Sequence, residues 1–255
     1  MRLALILAGI FLVHPVHAAK CVAESGARTA ALVELYTSEG CSSCPPADRW
    51  LSGLASKGYA PDRVVPLSLH VDYWDYIGWK DPYAKREFSL RQRKLSQLQR
   101  MALVYTPQVL LQGRDFRAWG GKAFDEAVTK INARPARARL ALEILSFRAG
   151  VMEVTASAEL LSGDSADDPA IYLAAYQSRL ENRVTAGENR GKLLSHDYVV
   201  LEWQGPFAFA SSKVTALRRG LPLLPGALPA NSGAVAFVQN RRSGEVLQAL
   251  MLPGC

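Results

Sequence analysis

The alternation of apolar and polar positions changes character about halfway along the chain. Residues 30–36 form a short apolar run with β-branched and aromatic content, broken by Glu34 and ending in the polar stretch Thr37-Ser38-Glu39-Gly40. That pattern predicts a buried strand entering a loop. Ala47, Trp50, Leu51 and Leu54 then recur at helical spacing until Gly58, so a helix follows. Residues 64–71 read as a second strand, and Asp81-Pro82 as the cap and first turn of a long helix through about Met101. Val109, Leu110 and Leu111 make a third strand. Gly120-Gly121 turns into a last helix with Phe124, Val128 and Ile131 on one face.

From about Arg137 the helical period gives way to a period of two. Leu140, Leu142 and Ile144 alternate with Arg139, Ala141 and Glu143, as in a half-buried strand. Further strands are predicted at 151–156, 171–176, 198–203, 207–210, 234–239 and 245–251, separated by Gly, Pro, Ser and Asp. Many short strands with such punctuation predict a mainly antiparallel β-sandwich. The expected division is therefore an α/β domain over 19–133, a short linker at Asn132-Ala133-Arg134-Pro135, and a sandwich domain over 137–255.

The first residues stand outside this pattern. Arg2 supplies a basic start, residues 3–13 an apolar stretch too short to span a bilayer comfortably, and Val16-His17-Ala18 small residues suited to a signal peptidase. Residues 1–18 read as a signal peptide cleaved after Ala18, which predicts a periplasmic or secreted protein without stable membrane insertion. With 255 residues, 49% hydrophobic and 21% charged, the remainder has ordinary globular composition. The formal net charge of +7 is spread along the chain. Its densest part, Lys85, Arg86, Arg91, Arg93, Lys94 and Arg100, reads as a solvated helix face, and with no nucleic-acid motif beside it a nucleic-acid partner is not expected.

All four cysteines survive the predicted cleavage. Cys41 and Cys44 form a C-x-x-C, whereas Cys21 and Cys255 lie at the two extremes of the mature chain and are left to bridge its termini. A C-x-x-C between a strand and a helix is the setting in which orphan helix N–H groups stabilise a thiolate, which is the nucleophile of disulfide exchange. Cys41, expected to be the more exposed sulfur, would attack, and Cys44 would resolve the mixed disulfide. Ahead of the third strand stands Thr106-Pro107, where a proline fits a strand's first residue and a cis bond costs only about 0.5–1 kcal/mol.

In this order and approximate spacing, Glu34-Leu35-Tyr36, Cys41-Ser42-Ser43-Cys44 and Thr106-Pro107 resemble the thioredoxin superfamily over roughly residues 30–133. More narrowly, the stretch from Val33 to Asp48, the hexapeptide His70-Val71-Asp72-Tyr73-Trp74-Asp75 and Tyr105-Thr106-Pro107-Gln108 resemble a family of secreted thioredoxin-like bacterial proteins of unknown function. The resemblance implies an α/β thioredoxin-like domain, backbone hydrogen bonds from Thr106 to a bound cysteine-containing strand, and Glu34 as a buried acid relaying a proton to Cys44. Pro45 and Pro46 depart from the thioredoxin pattern and predict a later helix start.

These residues lead to an exported thiol-disulfide oxidoreductase with catalytic Cys41, Cys44, Thr106, Pro107 and Glu34. No cofactor is implied, and the expected partners are exported-protein or small-molecule thiols and a redox partner protein. Two alternatives stay open. One is a copper or soft-metal module using the two cysteines and His70, with Asp72 on the same strand face; the other is a non-catalytic interaction protein with an inert disulfide. Tyr73, Trp74, Tyr76 and Trp79 could wall a groove or simply pack. Ser195-His196-Asp197 has the residue types of a hydrolase triad, but adjacency in sequence does not supply triad geometry.

Overall fold

The computed structural model describes residues 21–161 and 168–255; the predicted signal peptide and its cleavage point lie outside the described residues. The first half of the described chain runs β1 (Val22–Glu24), β2 (Ala31–Thr37), α1 (Pro45–Ser52), β3 (Val64–His70), α2 (Arg86–Leu98), β4 (Gln108–Leu111), β5 (Arg114–Asp115) and α3 (Lys122–Asn132). The second half is built of strands: β6 (Ala138–Arg148), β7 (Val151–Leu160), β8 (Pro169–Gln177), β9 (Leu180–Arg183), β10 (Leu193–His196), β11 (Val199–Ala208), β12 (Val214–Pro222), β13 (Ser232–Asn240) and β14 (Val246–Pro253).

This arrangement corrects the fold class expected from the sequence, an α/β thioredoxin-like domain followed by a β-sandwich. Among the described residues strands dominate, the three α-helices span only 8, 13 and 11 residues, and strands from both halves share one eight-stranded sheet in the order β14-β13-β8-β11-β3-β2-β4-β5. The junction is β11, antiparallel to β8 on one side and parallel to β3 on the other. The β11–β3 ladder registers only Val199 with Ser68, where the Ser68 N–H donates to the Tyr198 carbonyl at 2.8 Å. Pro66, two residues earlier, has no N–H with which to extend it. A hydrophobic pattern reports which faces of a strand are buried and is silent about which edges are paired, so this junction left no trace in it.

Side-chain alternation distributes the sheet's two faces. One face carries Leu32, Tyr36, Leu67, Tyr172 and Phe237, packed with Phe88 and Leu95 of α2. On the other face Val33 and Leu35 meet Ala47 and Leu51 of α1 and Phe124, Val128 and Ile131 of α3. Farther along that side Leu173, Ala175, Ala236 and Leu250 pack on Leu140, Leu142, Val154 and Ala156 of a second, four-stranded sheet ordered β1-β6-β7-β12. Cys21 and Cys255 form a disulfide that ties the start of this second sheet to the end of β14.

Local chemistry explains the shifted element boundaries. The long helix expected from Asp81 begins only at Arg86, because the Asp81 carboxylate accepts the Tyr83 N–H at 2.9 Å and the Glu39 N–H at 2.8 Å and so shapes a turn. Helix α1 begins at Pro45 itself, since a proline in the first turn gives up only an N–H that has no intrahelical partner. The two strands expected at 198–203 and 207–210 are the single β11, with register shifts on either side of Leu201 and around Gly205-Pro206. The β9–β10 hairpin and β12 were not predicted. β12 pairs throughout with β7 but keeps most of its residues partly or fully exposed.

Candidate functional site

The strand β2 ends at Thr37, and a tight turn carries the chain into α1. Within it the Cys41 N–H donates to the Ser38 carbonyl at 3.1 Å and the Cys44 N–H to the Cys41 carbonyl at 3.2 Å. Cys41 and Cys44 are joined as a disulfide, with Cys44 at the N-cap of α1 and no side-chain cap there. Pro45 and Pro46 supply no N–H, and the Ala47 N–H is spent on the Cys44 carbonyl, so the helix start offers few free donors. The Ser43 hydroxyl lies 3.3 Å from the Cys41 sulfur, placed to donate to it.

Thr106-Pro107 is a cis peptide just before β4, whose Gln108 is in register with Tyr36 of β2. Trp74 bridges it to the cysteine turn. Its indole N–H donates to Thr106 Oγ1 at 2.7 Å, and its Cβ would lie 3.2 Å from a methyl on Gly40. A cavity of about 290 Å³ lined by Tyr105, Pro107, Arg117 and Trp119 opens beside Pro107. Trp119 packs on Trp50 of α1 at 5.2 Å between ring centres.

Glu34 does not join the cysteines. Its fully buried carboxylate takes two hydrogen bonds from Arg91, at 2.6 and 3.1 Å, and one from the Tyr36 hydroxyl at 2.7 Å. Because Glu34 alternates with Val33 and Leu35, which face α1, it projects to the α2 side of the sheet. Arg91, expected on a solvated basic face, is sunk into the core with its guanidinium 4.5 Å from the Trp203 ring centre. A proton relay from Glu34 to Cys44 is therefore corrected by side-chain direction.

A different set of buried polar groups lies on the cysteine side, most of it belonging to no motif in the sequence. Asp48 follows Cys44 by one helical turn and is buried, and burial pushes its carboxyl up, partly offset by His196 and His70. His70 Nδ1 lies 2.7 Å from Asp81, and the His70 and His196 rings meet edge to face at 4.9 Å. Glu39 is the hub. Its buried carboxylate takes the Trp79 indole N–H at 2.9 Å and the Asn182 amide at 2.9 Å, and lies 3.1 Å from His196 Nε2. Thr37 faces Asp48 and lowers its carboxyl, while His70 Nε2 and His196 Nδ1 have no hydrogen-bond partner among the described residues.

The His70–Asp81 pair makes stability pH-dependent. Burial lowers the His70 pKa, but Asp81, Asp48 and Glu39 outweigh it and hold the imidazole above its ordinary value. A raised histidine contributes stability that is complete below pH about 6.5 and is lost as pH rises through the folded-state pKa. Asp81 runs the other way. Burial raises it, His70 and the Glu39 and Tyr83 N–H groups lower it further, and its contribution disappears as acid reaches its depressed pKa. His70→Asn should thus lower the melting temperature more at pH 6 than at pH 9. Equal losses at both would show that the imidazole stays neutral.

Several readings of the sequence separate in space. Asp72 bonds Ser89 rather than joining His70, and among the described residues no group of three or more His, Cys, Asp and Glu could hold a metal ion. Ser195, His196 and Asp197 turn to Glu181, Glu39 and the Arg179 N–H respectively, so they form no triad. The aromatic cluster splits likewise: Tyr73 bonds Gln92 at 3.1 Å, Trp74 reaches Thr106, Trp79 reaches Glu39, and Tyr76 is 83% exposed.

A family model described as "Protein of unknown function (DUF1223)" matches residues 32–239, a span holding both Cys41 and Cys44, Thr106-Pro107 and the Glu39 hub. The chain belongs to the DUF1223 family. A crystal structure of a protein from Agrobacterium tumefaciens is similar at 27% identity and a TM-score of 0.60, covering 91% of this chain and 97% of that one. HBP35 of Porphyromonas gingivalis is similar in fold at 14% identity and a TM-score of 0.68, covering 90% of this chain and 76% of that one. No curated protein gives a significant match. Within this DUF1223 chain both sulfurs are closed off: Cys41 is 1% exposed and Cys44 is fully buried, against the expectation of an open Cys41. The loop between β9 and β10 is bonded to the backbone of the cysteine turn. Asn189 is itself buried, and its amide donates to the Glu39 carbonyl at 2.8 Å and the Cys41 carbonyl at 2.9 Å, while Glu188 accepts the Ser42 N–H at 2.9 Å.

Proposed function

We propose that this DUF1223 protein is an exported thiol-disulfide oxidoreductase working through Cys41 and Cys44. The observation that carries the reading is the disulfide closing the turn into α1, with the Ser43 hydroxyl beside the Cys41 sulfur and buried Asp48 one turn behind Cys44. The hydroxyl would donate to a Cys41 thiolate and lower its pKa, as exchange at neutral pH needs. The sequence order of C-x-x-C and Thr106-Pro107, shared with thioredoxins, supports the same chemistry. The signal-peptide pattern and two disulfides support a periplasmic or secreted location, where such bonds persist.

From the oxidised pair, a substrate thiolate bonds to the Cys41 sulfur and breaks the Cys41–Cys44 bond; Cys44 leaves as a thiolate and takes up a proton. The substrate's second thiolate then attacks its own sulfur in the mixed disulfide, forms the substrate disulfide and releases Cys41 as a thiolate. Two electrons pass to the pair, and the reverse sequence returns them. The substrates are cysteines of exported proteins or small thiols.

Cys41→Ser should reduce exchange with a disulfide-containing protein substrate to background, whereas Cys44→Ser should accumulate a mixed disulfide visible by intact mass. Wild-type turnover in Cys41→Ser would remove the proposal.

A further inference from the structure

The β9–β10 hairpin is fastened to the cysteine turn at both its stem and its tip. At the stem, Asn182 and His196 both reach the Glu39 carboxylate. At the tip, Asn189 spends both amide hydrogens on the Glu39 and Cys41 carbonyls, its own oxygen accepts from Lys192 Nζ at 2.8 Å, and Glu188 takes the Ser42 N–H. Gly187, at φ +69°, brings the tip so close that an added methyl would stand 3.0 Å from Ile77 Cδ1 and 3.4 Å from the Trp79 Cβ. Beside these contacts Cys41 is buried, although Ser42 and Ser43 on the same turn are exposed.

Asn189 and Glu188 together present an amide donor and an oxygen acceptor to two carbonyls and one N–H of the motif. An extended polypeptide offers the same alternation of N–H and C=O along one edge. Glutathione has enough donors and acceptors, but its γ-glutamyl linkage breaks the spacing of an extended backbone, so it matches the three positions poorly. We propose that the hairpin tip is a lid that ranks the substrates of the Cys41–Cys44 pair: a cysteine in an extended segment of an exported protein displaces Glu188 and Asn189 by taking over their hydrogen bonds, and small thiols react more slowly. This deepens the oxidoreductase reading and rests on it for the identity of the substrate.

The test follows reduction of the Cys41–Cys44 disulfide in the full mature chain, by thiol labelling and peptide mass, with glutathione or an unstructured cysteine-containing peptide as reductant. The Cys21–Cys255 bond is the internal reference. In the wild type the peptide should reduce the pair at least tenfold faster than glutathione at equal thiolate concentration. Asn189→Ala should raise the glutathione rate about tenfold and narrow that preference, leaving the reference bond unchanged. Gly187→Ala keeps both amide donors but strains the tip at φ +69° and crowds Ile77 Cδ1, so it should act the same way even if Asn189→Ala disturbs the local fold. Unchanged glutathione rates in both variants, with melting temperatures near wild type, would overturn the lid. The two proposals fail separately. Faster reduction in the lid variants without catalysed exchange in any form would sink the oxidoreductase and keep the lid, whereas exchange that requires Cys41 but ignores residues 187 and 189 would do the reverse.

Discussion

Arg91→Met should destabilise the protein by about 3–5 kcal/mol, the usual result of removing one partner of a buried ion pair and leaving the other charge uncompensated. Glu34 is fully buried and Arg91 nearly so, with their shortest contact at 2.6 Å. Arg91 also donates to Gln239 on β13 at 3.0 Å and lies over Trp203 on β11, so one side chain ties α2 to strands from both halves of the chain. Methionine conserves much of the volume, which isolates the charge as the cause. Adding Glu34→Gln should recover most of the loss, because the double variant buries no carboxylate. Urea unfolding measures both, and a single-variant loss below about 1 kcal/mol would show that Glu34 finds water or a proton instead. The double variant also bears on function. Since Glu34 projects to the α2 side of the sheet, exchange per folded molecule should match the wild type.

The second large effect concerns the termini. Cys21 and Cys255 are 234 residues apart in sequence, so their disulfide closes nearly all of the described chain into one loop. In the chain-entropy model a loop of that size stabilises by at most about 5 kcal/mol, chiefly by restricting the unfolded state. Removing both as Cys21→Ser with Cys255→Ser should approach that loss, seen as a lower urea midpoint. Two local supports persist in the variant, the β1–β6 ladder and the Ser25 N–H bond to the Leu140 carbonyl at 2.8 Å. A midpoint within error of the wild type would mean that these hold the end of the chain unaided.

The hydrophobic pattern made most of the described strands and the helices α1 and α3 legible because each buries a face with a regular period, whereas α2 was announced by Asp81-Pro82. Phe124, Val128 and Ile131 of α3 point into the core, and Leu140, Leu142 and Ile144 of β6 do the same. What the pattern missed was decided by hydrogen bonds between distant residues. Nothing in residues 64–70 signals that β3 will take β11 on its free edge, and that edge turns two expected domains into a shared sheet. The cysteine pair and Thr106-Pro107 were readable as local motifs. Asp48 was within reach, since its spacing from Cys44 puts both on one side of a helix, but Glu34 drew attention by resemblance while its strand parity sent it to the wrong face. Asn189 had no local signal at all. It reaches Cys41 across 148 positions of sequence.

The central claim is that the Cys41–Cys44 bond exists to be exchanged. Its reduction potential, read by equilibrating the mature protein with glutathione or dithiothreitol buffers and quantifying the two thiols by mass, tests that claim most directly. The account predicts a value above about −300 mV, in the range of bonds that cellular thiols make and break. A value below about −300 mV, unmoved by Gly187→Ala, would mark the bond as a permanent brace and contradict the account.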